Sequence, residues 1–197
     1  MAPDSNLRAP ALRMLPFLAD LARAGRRSGL AVAQLRYRVI GYNDGDPVRD
    51  LEWALNELSG RFGAPVCLVG HSMGARAALR AAGHDAVRSV AGLAAWCPPN
   101  EPVAQLEGRT VMLVHGSRDR VTDPAGSLHL GRRARGTAAR IARFEVAGAG
   151  HAMLERLPLW QSLTRRFVLG TLGLEPLDER IAAAFALPPE RALRVPL

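Results

Sequence analysis

Hydrophobic positions along the chain switch repeatedly between helical and strand-like spacing. Residues 11–24 (ALRMLPFLADLARA) carry Leu12, Leu15, Leu18 and Leu21 on one helical face and are closed by Gly25, which predicts an amphipathic helix. Pro16 inside it leaves two outcomes open, a late start or a bend. Residues 30–37 (LAVAQLRY) read as a strand, and residues 41–47, with Asn43, Asp44 and Gly45, as a loop. After Pro47 the positions Val48, Leu51, Leu55 and Leu58 form the apolar stripe of a second helix, and Gly60 to Pro65 return the chain to an apolar run at Val66. The alternation continues with helix 73–82, strand 87–95, a short proline-containing link, strand 110–115, helix 125–136, strand 140–146 and helix 154–169. Strands and helices that alternate in this way imply right-handed crossovers. The expected class is therefore α/β, with a mostly parallel sheet, helices on both faces, and chemistry gathered beyond the carboxyl ends of the strands.

The pattern changes after Gly173. Residues 176–187 (PLDERIAAAFAL) place Leu177, Ile181 and Phe185 on one helical face ahead of Pro188 and Pro189. The expected division is a body over residues 1–173 and a helical tail over 174–197. For the tail, covering an apolar surface of the same chain is preferred to docking on a partner.

One stretch organises the rest. VCLVGHSMGARAAL is an apolar strand that breaks at Gly70-His71-Ser72-Met73-Gly74 and continues as an alanine-rich helix. Small residues at Gly70 and Gly74 allow a tight reversal with Ser72 strained at its apex and the hydroxyl lifted clear of the backbone, the geometry of a nucleophile elbow. A serine nucleophile needs a base within hydrogen-bond reach and backbone N–H groups aimed at the attacked carbonyl oxygen; the Met73 N–H, opening the helix, is placed to be one such donor. The alternative is that the glycines only bring helix and strand close together. The flanking strand and helix, which this short motif requires, favour the catalytic reading.

Composition and charge narrow the class. The chain has 197 residues, nearly half of them apolar, enough for one domain with a full core. No basic segment followed by an apolar one opens the sequence and no apolar run is long enough to span a bilayer, so a cytoplasmic protein without a membrane partner is expected. Cys67 and Cys97 lie in or beside apolar runs, as buried reduced thiols do, and no metal-ligand spacing is present. Net charge is +8, and every basic residue is an arginine. The densest group, Arg132, Arg133, Arg135, Arg140 and Arg143, has no interleaved aromatics to stack on bases, so a solvated basic surface is preferred to nucleic-acid binding.

Two strand ends carry further chemistry. After TVMLVH come Gly116, Ser117, Arg118, Asp119, Arg120, Val121, Thr122, Asp123 and Pro124; after RIARFEV come Ala147, Gly148, Ala149, Gly150, His151, Ala152 and Met153. Alone, His151 would be read as a capping or core residue. With Ser72 and an acid it becomes a candidate base. Asp119 is preferred as that acid, because Asp123, just before Pro124, reads as a helix N-cap.

GHSMG at 70–74, HGSRDRVTDP at 115–124 and GAGHAM at 148–153 together make the chain resemble an α/β-hydrolase fold serine hydrolase over roughly residues 7–170. The resemblance implies Ser72 as nucleophile, Asp119 as acid, His151 as base and the Met73 N–H in the oxyanion hole, with His71 and Trp96 at the oxyanion and substrate-binding positions. It implies no metal and no organic cofactor, and a small-molecule ester-like substrate. The short link between strands 87–95 and 110–115, where many lipases of the fold insert a lid, makes the chain similar to small esterases and dienelactone-hydrolase-like proteins, with Trp96, Pro98 and Pro99 at the edge of the site.

One departure stands out. The family takes its second oxyanion donor from a glycine-rich loop that follows a strand and precedes the first helix, and MAPDSNLRAP contains neither. In the family that strand lies between those matching residues 30–37 and 65–70. The expectation is an N-terminally shortened hydrolase in which 30–37 pairs directly with 65–70 or the slot stays unfilled, and in which activity is weak. The rival expectation is a non-catalytic relic of the fold that binds a partner or small ligand.

Overall fold

The computed structural model describes residues 8–197. Helix α1 (Arg8–Gly25) is followed by an extended segment, a 3-10 turn at Asn43–Gly45 and helix α2 (Asp46–Phe62). Strand β1 (Val66–His71), helix α3 (Met73–Arg80), strand β2 (Val87–Leu93), strand β3 (Thr110–Gly116), helix α4 (Pro124–Ala134), strand β4 (Arg140–Val146) and helix α5 (Leu157–Thr171) come next. Helices α6 (Glu179–Ala186) and α7 (Pro189–Ala192) and a two-residue strand β5 (Val195–Pro196) complete the order. The sheet runs β1-β2-β3-β4-β5 and every pairing is parallel.

Side chains alternate across this sheet, so each face receives half of every strand. On one face Val90, Val111, Leu113 and Ile141 pack with Leu55 of α2, Ala75, Ala78 and Leu79 of α3, and Leu128 and Leu130 of α4. On the other Ala91, Met112, Val114, Phe144 and Val146 pack with Phe17 of α1, Trp160, Leu163 and Phe167 of α5, and Ile181 and Ala184 of α6. Helix α1 contains Pro16 without ending there. It is held to α5 by Arg165 Nη1, which donates to both oxygens of the buried Asp20, and by Gln161 Nε2, which donates to the Pro16 carbonyl.

Two features differ from the sequence expectation. Residues 30–37 form no strand: the backbone there joins no ladder, and among the described residues β1 pairs with β2 alone. A run of strand-forming residues becomes a strand only where another strand offers an edge. Here the segment is tied to α2 instead, through the Arg38 backbone N–H and the Arg38 guanidinium, both donating to buried Asp50. The slot beside β1 is therefore unfilled among the described residues. The second feature is β5, which no alternation in RVPL announces. Val195 and Pro196 pair with Phe144 and Glu145, extended by Leu197 N–H to the Glu145 carbonyl at 2.9 Å. Pro196 is tolerated because it lies on an outer strand.

The tail lies against the body. Ile181 is fully buried, and Leu177 and Phe185 pack against the same core cluster. Asp178 caps α6 by accepting from the Arg180 and Ile181 backbone N–H groups, and Arg166 of α5 pairs with it. Ile181→Ala should therefore cost about 2–5 kcal/mol of folding stability, the range for a buried aliphatic truncation, read as a lower urea midpoint at unchanged slope.

Candidate active site

The elbow is set by a steric fit between β1 and α3. A Cβ on Gly70 would stand 2.3 Å from the Gly74 carbonyl oxygen, so only glycine permits this approach. Between them Ser72 adopts φ 56°, ψ −118°, outside the regions an L-residue prefers. The strain is braced from the neighbouring strand: Ser72 N–H donates to the Leu93 carbonyl at 3.0 Å, and Trp96 N–H to the Ser72 carbonyl at 3.3 Å. Over-determination of this kind holds a costly conformation in place. The Met73 N–H is the first of α3, among those that lack an intrahelical partner.

Asp119 and His151 meet at the ends of β3 and β4. The two loops are locked together by Arg118 N–H donating to the Ala149 carbonyl at 2.9 Å, and a Cβ on Gly116 would strike that same carbonyl oxygen at 2.2 Å. Within this contact His151 Nδ1 lies 2.8 Å from Asp119 Oδ2. The other carboxylate oxygen, Oδ1, accepts the Val121 and Thr122 backbone N–H groups at 2.8 and 3.0 Å. Burial pushes the Asp119 carboxyl upward, but the hydrogen bonds from His151, from both amides and from the Thr122 hydroxyl outweigh it and hold it down at about 2. Among the described residues no hydrogen bond joins Ser72 Oγ to His151. Asp123 accepts from Ala125 N–H at 2.9 Å as the N-cap of α4.

His71 faces this pair. Its Nε2–H donates to the His151 carbonyl at 2.9 Å, and the two rings stand 4.7 Å apart. The side chain is spent on bracing the His151 loop. Burial lowers its pKa to about 4, and the neighbouring His151 and Arg13 add to the effect, so the ring is neutral at pH 7. Trp96 is 40 % exposed at the rim. Its ring and that of Tyr42 meet edge to face, with the Arg76 guanidinium 3.8 Å from the Tyr42 centroid and 4.5 Å from the Trp96 centroid. Buried Glu101 anchors Arg76 and Arg80 from below.

Two residues outside the sequence expectation join the site, and a third approaches the elbow helix. Thr122 Oγ1 lies 2.8 Å from Asp119 Oδ2 and 3.1 Å from His151 Nδ1. His115, fully buried on β3, places Nε2 3.2 Å from the same carboxylate oxygen. Tyr37, at the end of the unpaired segment, reaches α3: a Cβ on Gly74 would lie 3.5 Å from its hydroxyl oxygen. Burial, reinforced by Asp50, raises the Tyr37 hydroxyl to about 12, so it remains a donor. HGSRDRVTDP contains His115 and Thr122 in plain view, but only the closure of the β3 loop brings them onto Asp119. No spacing rule links Tyr37 to a glycine thirty-seven positions later. Both thiols are raised by burial, Cys67 to about 11 and Cys97 to about 12. Among the described residues no group of three or more His, Cys, Asp or Glu side chains could hold a metal ion, and no helix is long and apolar enough to cross a membrane.

The histidines dictate the acid sensitivity. His71 titrates near 4 in the folded chain and near 6.5 when unfolded, so below pH 6.5 the unfolded chain binds a proton that the folded chain refuses. Stability should fall as pH drops from 6.5 towards 4, with His115, also lowered by burial, adding in the same direction. Asp119, depressed to about 2 from 3.8, contributes stability that is present above 3.8 and lost below it. His71→Gln, which keeps a donor for the His151 carbonyl, should lose less stability than the parent between pH 6.5 and 4 in denaturant titrations.

No protein-family model matches the chain, and no curated protein does. Solved structures do. An esterase domain from Rhodothermus marinus superposes with TM-score 0.61 at 20% identity, covering 78% of this chain and 79% of that one. A putative alpha/beta hydrolase from Agrobacterium tumefaciens gives TM-score 0.65 at 15% identity over 83% and 80%. An alpha-beta serine hydrolase homologue from Coxiella burnetii gives 0.59 at 19% over 76% and 74%. Identities this low carry the architecture alone, and together with the parallel sheet and its helices on both faces they show that this chain has the α/β-hydrolase fold.

Proposed function

We propose that the protein is a serine hydrolase of esters or related acyl compounds, with Ser72 as nucleophile, His151 as general base and Asp119 as the acid that orients it. The observation that carries this reading is the 2.8 Å pairing of His151 Nδ1 with the buried Asp119 carboxylate in the loops beside a strained Ser72. With Nδ1–H committed to Asp119, the Nε2 lone pair of His151 is left to take the Ser72 proton and to return it to the leaving group. The contact between Ser72 and His151 forms as substrate enters, since catalytic hydrogen bonds often tighten only in the complex. Negative charge on the attacked carbonyl oxygen is met by the Met73 N–H. The Tyr37 hydroxyl is the second donor in this reading, supported by its approach to the first turn of α3 and by the pinning of neighbouring Arg38 on Asp50.

A fluorophosphonate probe should label the folded protein at Ser72, and Ser72→Ala should abolish both labelling and turnover of a short activated ester. Lack of labelling, with a known serine hydrolase reacting in parallel, returns the chain to the non-catalytic reading. Steady-state kinetics should rank the acids: Asp119→Asn loses turnover by about four orders of magnitude, as for a triad acid that can no longer fix the tautomer. Asp123→Asn changes chemistry little and costs at most about 1 kcal/mol in capping. Tyr37→Phe should lower kcat by about a hundredfold, the scale of one lost oxyanion donor, with KM nearly unchanged.

A further inference from the structure

Behind Asp119 a row of polar groups runs through the core and takes no part in the chemistry above. Arg143, in the middle of β4, is 1% exposed. Its Nε–H donates to Ser127 Oγ of α4 at 2.9 Å, Nη1 reaches Glu145 and the Leu193 carbonyl, and Nη2 the Pro124 carbonyl. Ser127 Oγ lies 2.9 Å from His115 Nδ1 and 3.0 Å from the Pro124 carbonyl. His115 Nε2 faces the Thr122 carbonyl and Asp119 Oδ2, both at 3.2 Å.

The protons in this row have one consistent arrangement. A guanidinium N–H only donates, so Ser127 Oγ accepts from Arg143. Burial keeps His115 neutral, so the ring carries a single proton. Nε2 faces two acceptors, the Thr122 carbonyl and Asp119 Oδ2, and the Thr122 hydroxyl 3.4 Å away gives its one proton to Asp119 Oδ2 at 2.8 Å; a lone pair on Nε2 would face a carboxylate, so the proton sits there. Nδ1 is then an acceptor that shares the single Ser127 proton with the Pro124 carbonyl. Donors run one way from the Arg143 cation through Ser127 to His115, whose Nε2–H donates to the Thr122 carbonyl with Asp119 Oδ2 3.2 Å away, and hydrogen bonds in such a chain polarise and strengthen one another.

We propose that His115, oriented by Ser127 and Arg143, is a positioning residue for Asp119: it holds Oδ2 in place beneath His151 and draws off part of the carboxylate charge, tuning the basicity of His151. The proposal rests on the triad reading above. Charged and titratable groups around it come from four elements: His151 and His71 face Asp119, Arg13 of α1 faces His71, and Arg143 faces His115. Without the His115 N–H the carboxylate is a stronger acceptor for His151 Nδ1–H and stabilises the imidazolium, so the base titrates higher.

The test is an NMR titration of the His151 ring in the full chain, paired with kcat–pH profiles. His115→Leu should raise the His151 midpoint by about half a pH unit or more, shift the acid limb of kcat upward with it, and lower kcat about tenfold at nearly constant KM. His115→Gln, which offers an N–H where Nε2 stood, should restore the midpoint. Ser127→Ala, which retains the imidazole but removes the proton source for Nδ1, should shift it in the same direction and serves if His115→Leu does not fold. An unchanged His151 midpoint in folded His115→Leu or Ser127→Ala overturns the proposal, and so does His115→Gln behaving like His115→Leu, which would assign the residue to packing. Absence of Ser72-dependent turnover in the parent would instead overturn the hydrolase reading, leaving the NMR midpoints to decide the role of His115.

Discussion

The close approach of Gly70 to the Gly74 carbonyl governs this molecule. Because the two backbones meet where no side chain fits, β1 must reverse into α3 within one residue, and Ser72 is the residue that takes the strain. Bracing comes from β2 through Leu93 and Trp96, so the elbow exists only within a parallel sheet in which β2 lies beside β1. The same sheet brings the ends of β3 and β4 together, where the Gly116 contact with Ala149 repeats the device and closes the Asp119 and His151 loops on each other. Two tight glycine contacts, at the ends of β1 and β3 on either side of β2, therefore set the spacing of everything between them.

Electrostatics at the site follow from burial with full pairing. Asp119 lies below the surface, yet its two oxygens meet backbone amides, a hydroxyl and His151, which offsets the desolvation that would otherwise protonate it. His71 and His115 pay the opposite way: each is buried, each gives its proton to an acceptor, and each stays neutral. The result is one ionised acid among neutral rings. Arg143 supplies the distant positive charge through Ser127, so the buried cation and the buried carboxylate belong to one hydrogen-bonded system instead of forming a direct pair.

The side of the sheet beyond β1 is built differently. Residues 30–37 have the composition of a strand but hang from α2 through Arg38 and Asp50, leaving β1 paired on one edge only among the described residues. This arrangement carries Tyr37 to α3, where a strand locked into a ladder would follow its own register. At the opposite edge, RVPL adds β5 to β4, and the tail buries Ile181 and Ala184 in the core. The two edges of the sheet are thus finished by segments of quite different character.

Local periodicity was enough to read helices α1 to α6, strands β1 to β4, the parallel α/β class and the order of Ser72, Asp119 and His151, because amphipathic spacing and glycine placement are properties of neighbours in sequence. Asp123 as a cap was legible for the same reason. What the residues could not reveal alone were facts about partners: whether 30–37 would find an edge, whether Val195 and Pro196 would, that His71 would spend its ring on the His151 carbonyl, that His115 and Thr122 would converge on Asp119, and that Tyr37 would reach α3. A strand or a hydrogen bond is a relation between two places in the chain. Sequence spacing dictates the half that each residue can offer, and only the folded packing decides which acceptor or edge lies within 3 Å of it.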